Sequence, residues 1–180
     1  MHNSVPWFFW LFPLVFALHN TEEALFFPAW SKFLGKFHKP VGLFEFMFAI
    51  MALTSVSVVI TILASLAGKQ ALPTYLFFAL NLGLLVNAFC PHLLATIVQK
   101  QYCPGVFTGL LFVAPTTVYL LLYGFDHRYF VFPMFWYVAI PFGALLVGSI
   151  PMLFRIGRMF RRALATNNAS WRSSEERPLT

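Results

Sequence analysis

Apolar residues dominate five long stretches of this chain, and short polar breaks separate them. The stretches are residues 5–29, 41–66, 72–98, 105–123 and 131–154. A bilayer core of about 30 Å is crossed by roughly 20 apolar residues in helical form, so each stretch is close to the length of one transmembrane helix. The pattern therefore predicts an all-α membrane bundle with about five transmembrane helices.

The breaks between the stretches contain residues that usually end helices. Glycine, proline and charged residues recur in them, at 36–40, 68–73, 100–104 and 124–128. Because all four breaks are short, we expect one compact transmembrane domain over residues 1–162. The remaining residues, 163–180, have few apolar side chains to bury and are predicted to form a disordered cytoplasmic tail.

Lysine and arginine are unevenly shared between the two sets of loops that five helices create. One side receives Lys32, Lys36, Lys39, Lys100 and the six arginines from Arg155 onward, and the other receives Lys69 and Arg128. Cytoplasmic loops carry an excess of these residues. We therefore expect the N-terminus outside and the C-terminus inside, in a multi-pass protein of the cell membrane.

Composition agrees with a membrane environment. Of the 180 residues, 59% are hydrophobic and 10% are charged. A soluble domain of this length leaves much of its surface exposed, so it does not hide that many apolar side chains. The formal net charge of +6 comes largely from arginines that directly follow the last apolar stretch, where they suit lipid headgroups. Membrane lipids, and no nucleic acid, are the expected partners, and the oligomeric state is left open.

The first apolar stretch contains a polar run, His19-Asn20-Thr21-Glu22-Glu23. An ionised side chain near the centre of a bilayer costs about 2.5–3.5 kcal/mol on insertion scales, so these acids need a partner, a proton or a cavity. At about 100° per residue, Glu23 lies about 40° from His19 and Glu22 about 60° from it on the other side. One helix face therefore carries a histidine and two carboxylates.

Further polar residues fall toward the same predicted side of the membrane. Glu45 lies near the start of the second helix, His92 lies late in the third, and Tyr102 lies in the turn that follows. In a regular helix, Asn81 shares a stripe with His92 and Asn87 points elsewhere. The residues predicted to form one intramembrane catalytic site are His19, Glu22, Glu23, Glu45, His92 and Tyr102.

Two kinds of chemistry suit this set of residues. The carboxylates lie in predicted spans that contain no lysine or arginine before Arg155, so protonation or a bound cation must neutralise them. His19, Glu23 and His92 offer the nitrogen and oxygen ligands that bind divalent metal ions. The spacing lacks the second histidine of the His-Glu-x-x-His zinc helix, so the sequence leaves the cofactor open between none and a divalent metal ion.

The run His19-Asn20-Thr21-Glu22-Glu23 resembles the motif of the HXXEE-domain family of bacterial integral membrane proteins. The histidine late in the third helix and the turn Tyr102-Cys103-Pro104-Gly105 fit the same pattern. The resemblance covers about residues 5–154. It implies a location in the bacterial inner membrane and a polar site of the kind expected in an enzyme, without a settled reaction.

The leading hypothesis is a membrane-embedded enzyme that acts on a lipid or other apolar substrate entering from the inner leaflet. Its histidines and glutamates would do acid and base work or hold a metal ion. The alternative is a small transporter or channel for protons, metal ions or amines, because intramembrane acids also mark such pathways. A binding or structural protein without turnover is the third hypothesis. The lack of a visible inverted repeat favours the enzyme over the transporter.

Overall fold

The computed structural model describes the backbone of residues 6–34 and 41–175, and the side chains of residues 6–26 and 41–166. A 3-10 turn, Trp7–Trp10, precedes seven α-helices: α1 Leu11–Leu34, α2 Leu43–Ala67, α3 Leu72–Asn87, α4 Leu94–Gln99, α5 Val106–Thr108, α6 Ala114–Asp126 and α7 Phe132–Glu175. Wide π-helical turns join α3 to α4 (Ala88–Leu93) and α5 to α6 (Gly109–Val113). The all-α prediction is confirmed over these residues.

Four stretches of the described chain are long and apolar enough to cross a membrane: Leu43–Ala67, Leu72–Gln99, Val106–Asp126 and Phe132–Thr166. Large apolar side chains on them face outward, as Leu66 (80% exposed) and Val147 (70%) do. α1 is not among the four, because the polar run from His19 to Glu23 lowers its hydropathy. Crossing of the membrane by α1, and the orientation of the bundle, stay predictions.

The third and the last of the predicted spans differ clearly from the observed helices. The third span is not one regular helix, because Cys90 has extended dihedral angles (φ −133°, ψ 109°) inside the turn that follows α3. The last helix continues to Glu175, past the expected end at residue 154. The backbone of 163–175 is therefore helical where a disordered tail was expected, and 176–180 lie outside the described residues. A helix that already exists can be extended without a new nucleation step, so a polar segment that follows it can also be helical. The prediction considered only the composition of 163–180 and missed this effect.

An aromatic core fixes one end of the bundle. Phe9 stacks on Phe77 with ring centroids 4.9 Å apart, and the rings of Phe78 and Phe130 are also 4.9 Å apart. Phe9, Phe77 and Phe78 are fully buried. Aromatic pairs at such distances contribute about 0.5–1.5 kcal/mol beyond their buried area. These contacts hold the 3-10 turn before α1 against α3, and α3 against the loop before α7.

The chain reverses direction at the other end of the bundle, between α4 and α5. Lys100 (φ 52°) and Gly105 (φ 90°) both have left-handed backbone conformations, which allow the sharp turn there. The turn after α3 and the start of α5 are brought together at this end. The middle of α1 passes beside them, and His19, Glu22 and Glu23 of the sequence motif face this junction.

Candidate functional site

Three side chains from separate parts of the chain converge beside the turn between α4 and α5. His19 and Glu23 come from α1, and His92 comes from the turn after α3. Nε2 of His92 lies 2.8 Å from Oε1 of Glu23, and Nε2 of His19 lies 3.7 Å from the same oxygen. One potential ligand atom of each residue lies within 4.8 Å of the others. The structure thus brings together the three residues that the sequence indicated as metal ligands.

This cluster is almost closed to its surroundings. His19 is fully buried, His92 is 5% exposed, and the side chain of Glu23 is 14% exposed. The two imidazole rings lie edge to face with their centroids 5.0 Å apart. An isolated charge in such a place is costly, so the Glu23 carboxylate must share a proton with the imidazoles or bind a cation.

Each histidine is also held at its other ring nitrogen. Nδ1 of His19 lies 3.1 Å from Oγ1 of Thr108, and Nδ1 of His92 lies 3.6 Å from Sγ of Cys103. A hydrogen bond at one ring nitrogen fixes the tautomer and the direction of the other nitrogen. Both Nε2 atoms are therefore aimed at Glu23.

Glu22 faces the neighbouring turn instead of the histidines. Its Oε1 accepts the backbone N–H of Gly105 at 2.8 Å, and its Oε2 accepts the backbone N–H of Thr108 at 2.7 Å. The hydroxyl of Tyr102 also donates to Oε1. A carboxylate suits the unpaired N–H groups at the start of a helix. The adjacent acids of the motif therefore have different partners: Glu22 binds the turn, and Glu23 contacts the histidines.

Tyr102 lies between helices with about half of its surface exposed. Burial of the hydroxyl and the neighbouring Glu22 carboxylate raise the pKa of Tyr102 to about 12. The phenol therefore stays protonated at neutral pH and acts as a hydrogen-bond donor. Its partner in the structure is Glu22, and a direct catalytic role of Tyr102 stays a prediction.

Gly105 packs closely against both imidazole rings. Its φ of +90° lies in the left-handed region, which favours glycine. A Cβ atom at this position would lie 2.8 Å from Cε1 of His19 and 2.9 Å from Cε1 of His92. Only glycine therefore lets the turn approach both histidines this closely, which gives the Pro104-Gly105 part of the sequence motif a physical role.

Glu45 does not join the cluster in the structure. It lies in the first turn of α2, is 2% exposed, and places Oε1 2.9 Å from Nη2 of Arg161. Gly157 lets α7 come close, since a Cβ atom there would lie 3.1 Å from Cα of Glu45. The sequence placed Glu45 with the other polar residues because of their shared predicted side of the membrane, and the predicted last helix, 131–154, ended before Arg161. The observed helix continues and brings an arginine to α2.

Asn87 is a neighbour of the cluster that the angular argument missed. Its side-chain nitrogen lies 3.3 Å from Nε2 of His19 and 3.1 Å from Nε2 of His92. The prediction assumed a regular helix through residue 92, and the extended backbone at Cys90 changes the direction of everything after it. Pro91 was the available signal, because a proline inside a helix removes a hydrogen bond and disrupts the turn before it.

Two other polar predictions need a new description. Asn81 does not extend the His92 stripe into the site, since its amide donates to the backbone carbonyl of Phe77 within α3. Cys103 had no predicted role in the site, yet its buried thiol contacts His92. The position of Cys103 in the sequence did not reveal this contact, because the contact depends on how the turn between α4 and α5 folds back toward His92.

An apolar groove lies between α1 and α2, beside the segment of α1 that carries the motif. Its volume is about 810 Å³, within the range of small-molecule sites. Aliphatic side chains such as Leu25, Met47 and Ile50 line it. Asn20 also lines the groove and donates to Oγ1 of Thr54 at 2.7 Å. The helix that supplies His19 and Glu23 to the cluster therefore also forms one wall of the groove.

Comparison with known proteins assigns this chain to a family. Residues 10–120, more than half of the chain, match the family described as "Protein of unknown function with HXXEE motif". The chain belongs to the HXXEE family. It is also 32% identical over 146 residues to the uncharacterized protein YrkK of Bacillus subtilis strain 168. The aligned region covers 81% of this chain and 92% of that protein. No solved structure matches the chain.

The HXXEE match includes the residues that meet in the structure. His19, Glu23 and His92 all lie within it, as does the turn that contains Gly105. The resemblance recognised from the sequence is therefore confirmed. Since the family description assigns no reaction, the function has to be argued from the geometry of the site.

Proposed function

We propose that this HXXEE-family protein is a membrane-embedded enzyme that acts on a lipid or another apolar substrate. The proposal is carried by one observation, the convergence of buried His19, Glu23 and His92 within 4.8 Å of one another. Clusters of ionisable groups in apolar surroundings are candidates for catalysis, because burial and mutual contact change their affinity for protons and cations. In the orientation predicted from the basic residues, the substrate enters from the inner leaflet of the cell membrane.

The proposed chemistry uses the groups at this end of the bundle as acid and base. Without a metal ion, Glu23 accepts a proton from the substrate or from water, and the paired histidines stabilise the charge that develops. With a metal ion, the three side chains would hold it, and the ion would supply the activation of water or substrate. Glu22 and Gly105 act indirectly, since they position the turn against the imidazoles. Glu45 has no part in this chemistry, because its partner is Arg161.

The groove between α1 and α2 supports an apolar substrate class. Its lining is mainly aliphatic, and the Asn20–Thr54 hydrogen bond supplies polar atoms beside it. A long hydrocarbon chain placed there is shielded from water and lies beside Asn20 and Thr21, on a different face of α1 from His19 and Glu23. Recognition by a mainly apolar surface with a few polar groups is common in small-molecule sites.

The test compares lipid turnover by four forms of the protein in nanodiscs: wild type, Glu23→Gln, His92→Asn and His127→Asn. His127 is an exposed histidine at the far end of α6, so it is a matched control. Each form is first checked for a monodisperse size-exclusion profile and then incubated with a total bacterial lipid extract. Mass spectrometry should show a lipid that wild type and His127→Asn convert and the other two do not.

Two outcomes contradict this proposal. Identical lipid profiles for wild type and Glu23→Gln remove the assigned role of the cluster. Flux of protons, metal ions or amines into proteoliposomes that depends on His92, without lipid conversion, favours the carrier alternative.

In the other half of the bundle, the buried hydroxyls of Ser57 and Thr61 bond to carbonyls of their own helix, so they do not extend the cluster into a polar path.

A further inference from the structure

We infer that the cluster binds one divalent first-row transition metal ion through four side-chain atoms: Nε2 of His19, Nε2 of His92, Oε1 of Glu23 and Oδ1 of Asn87. The inference rests on the site of the proposed function and deepens it by naming the cofactor and a fourth ligand. Metal binding is measured without turnover, so the two proposals are tested separately.

The contacts of Asn87 indicate which end of its amide faces the cluster. Nε2 of His92 already lies 2.8 Å from the carboxylate of Glu23, to which it donates when it carries a proton. The same nitrogen then has no free lone pair to accept an N–H of Asn87, 3.1 Å away. A half-turn of the amide resolves this conflict, because it exchanges the nitrogen and oxygen positions. Oδ1 of Asn87 then faces both histidines.

The separations between these atoms fit ligands around a single ion. Atoms that are each about 2.1 Å from one metal ion lie about 3.0–3.4 Å apart in octahedral or tetrahedral arrangements. Oε1 of Glu23 is 2.8 Å and 3.7 Å from the two Nε2 atoms. The side-chain amide of Asn87 is 3.1 Å and 3.3 Å from the same nitrogens. These distances bracket the expected range, so small side-chain shifts are enough to admit an ion.

The surroundings of the histidines also suit a metal site. Neutral imidazole binds a metal through one nitrogen while the other donates a hydrogen bond. Oγ1 of Thr108 and Sγ of Cys103 lie at the two Nδ1 atoms and can accept those bonds. Because Cys103 is on the Nδ1 side of His92, its sulfur belongs to this outer group and not to the proposed ligands.

The ligand set selects the class of metal. Two imidazoles with one carboxylate are the ligands of catalytic zinc sites and of non-haem Fe(II) sites, and nitrogen ligands disfavour Mg²⁺ and Ca²⁺. The amide oxygen of Asn87 adds a neutral fourth ligand. An ion that accepts five or six ligands keeps positions for water or substrate, as the proposed enzyme requires.

The experiment measures metal content of the full chain purified in detergent, followed by titration of the stripped protein with Zn²⁺ and, under anaerobic conditions, Fe²⁺. Wild type should carry about one ion per chain, and His92→Asn should carry none. Asn87→Leu should bind at least about tenfold more weakly. Asn87→Asp should retain the ion, because it keeps an oxygen at the same position. Asn81→Leu is the matched control, since Asn81 lies on α3 and bonds to Phe77.

Four results overturn all or part of the inference in different ways. No ion in the wild type and no uptake on titration with either metal removes the metal site, and leaves a network of hydrogen bonds among the same atoms. Unchanged affinity in Asn87→Leu removes the fourth ligand. Equal loss in Asn81→Leu and Asn87→Leu shows a general structural effect. Lipid conversion by a metal-free wild type would preserve the proposed enzyme while overturning the metal.

Discussion

Gly105 donates its backbone N–H to Oε1 of Glu22 at 2.8 Å, and this bond joins the polar run of α1 to the turn before α5. Glu22 is 8% exposed, so water has little access to replace it as the acceptor. The same turn packs Gly105 against the imidazoles of His19 and His92. The position of the histidine cluster therefore depends on a glutamate that lies outside it.

Replacement of Glu22 by alanine should destabilise the protein by about 2–3 kcal/mol, because backbone N–H groups of the turn lose their acceptor. Glu22→Gln should cost less, since it keeps one oxygen. Reversible unfolding in detergent checks both values. Thr21→Ala is the neighbouring control, because the exposed Thr21 hydroxyl bonds only within its own helix, and it should change stability by less than about 0.5 kcal/mol. A Glu22→Ala protein as stable as wild type would show that the turn does not need this anchor.

Gly105→Ala should disrupt the cluster even though it adds one carbon atom. The new Cβ meets both imidazoles, and the left-handed backbone adds strain of about 1–3 kcal/mol. We expect lower thermal stability together with loss of the activity or metal binding assigned to the site. Gly83→Ala is the control, because a Cβ there meets nothing within 4 Å and replaces a helical glycine, which favours stability by about 0.5–1 kcal/mol. Normal function in Gly105→Ala would contradict the observed packing.

Tyr102 should make stability depend on pH in the alkaline range. Its pKa rises from the ordinary 10.0 to about 12 on folding, so the protonated phenol favours the folded state. This contribution is fully present below pH 10 and is lost as the pH rises toward 12. Burial also raises the pKa of Tyr129, so the informative quantity is the difference between wild type and Tyr102→Phe. Parallel stability curves for these two proteins from pH 8 to 12 would contradict the assigned hydrogen bond.

The Glu45–Arg161 pair should matter for stability and not for the chemistry of the site. Arg161→Ala leaves a buried carboxylate without its cation and should cost about 1–2 kcal/mol, less than the about 3–5 kcal/mol of a fully buried pair because the Arg161 side chain is 56% exposed. Adding Glu45→Gln should recover most of this loss. A double-mutant cycle measures the coupling. Loss of lipid conversion or metal in Glu45→Gln alone would return Glu45 to the site predicted from the sequence.

Much of the fold could be predicted because hydropathy depends on local composition. The predicted second span, 41–66, is close to the observed α2, Leu43–Ala67. The fourth span, 105–123, likewise approximates the observed Val106–Asp126. The shared face of His19 and Glu23 followed from helical periodicity alone. The facing position of His92 followed from the order of helices and short loops.

Other features depend on contacts between distant segments, which periodicity does not report. Asn87 reaches the cluster because the chain is irregular at Cys90, while a uniform rotation per residue pointed it elsewhere. Glu45 is paired because α7 continues as a helix beyond its apolar part. The different roles of Glu22 and Glu23 also depend on distant contacts, since the partners of Glu22 are eighty or more positions away.

The residues of the cluster are supplied by α1, by the turn after α3 and, through Gly105, by the turn before α5. During biosynthesis the nascent chain carries the motif acids long before the later segments leave the ribosome. A partly made chain therefore carries the motif acids but lacks His92 and the turn that complete the cluster. Any chemistry of the cluster is therefore confined to the finished bundle, in which all of these segments have met.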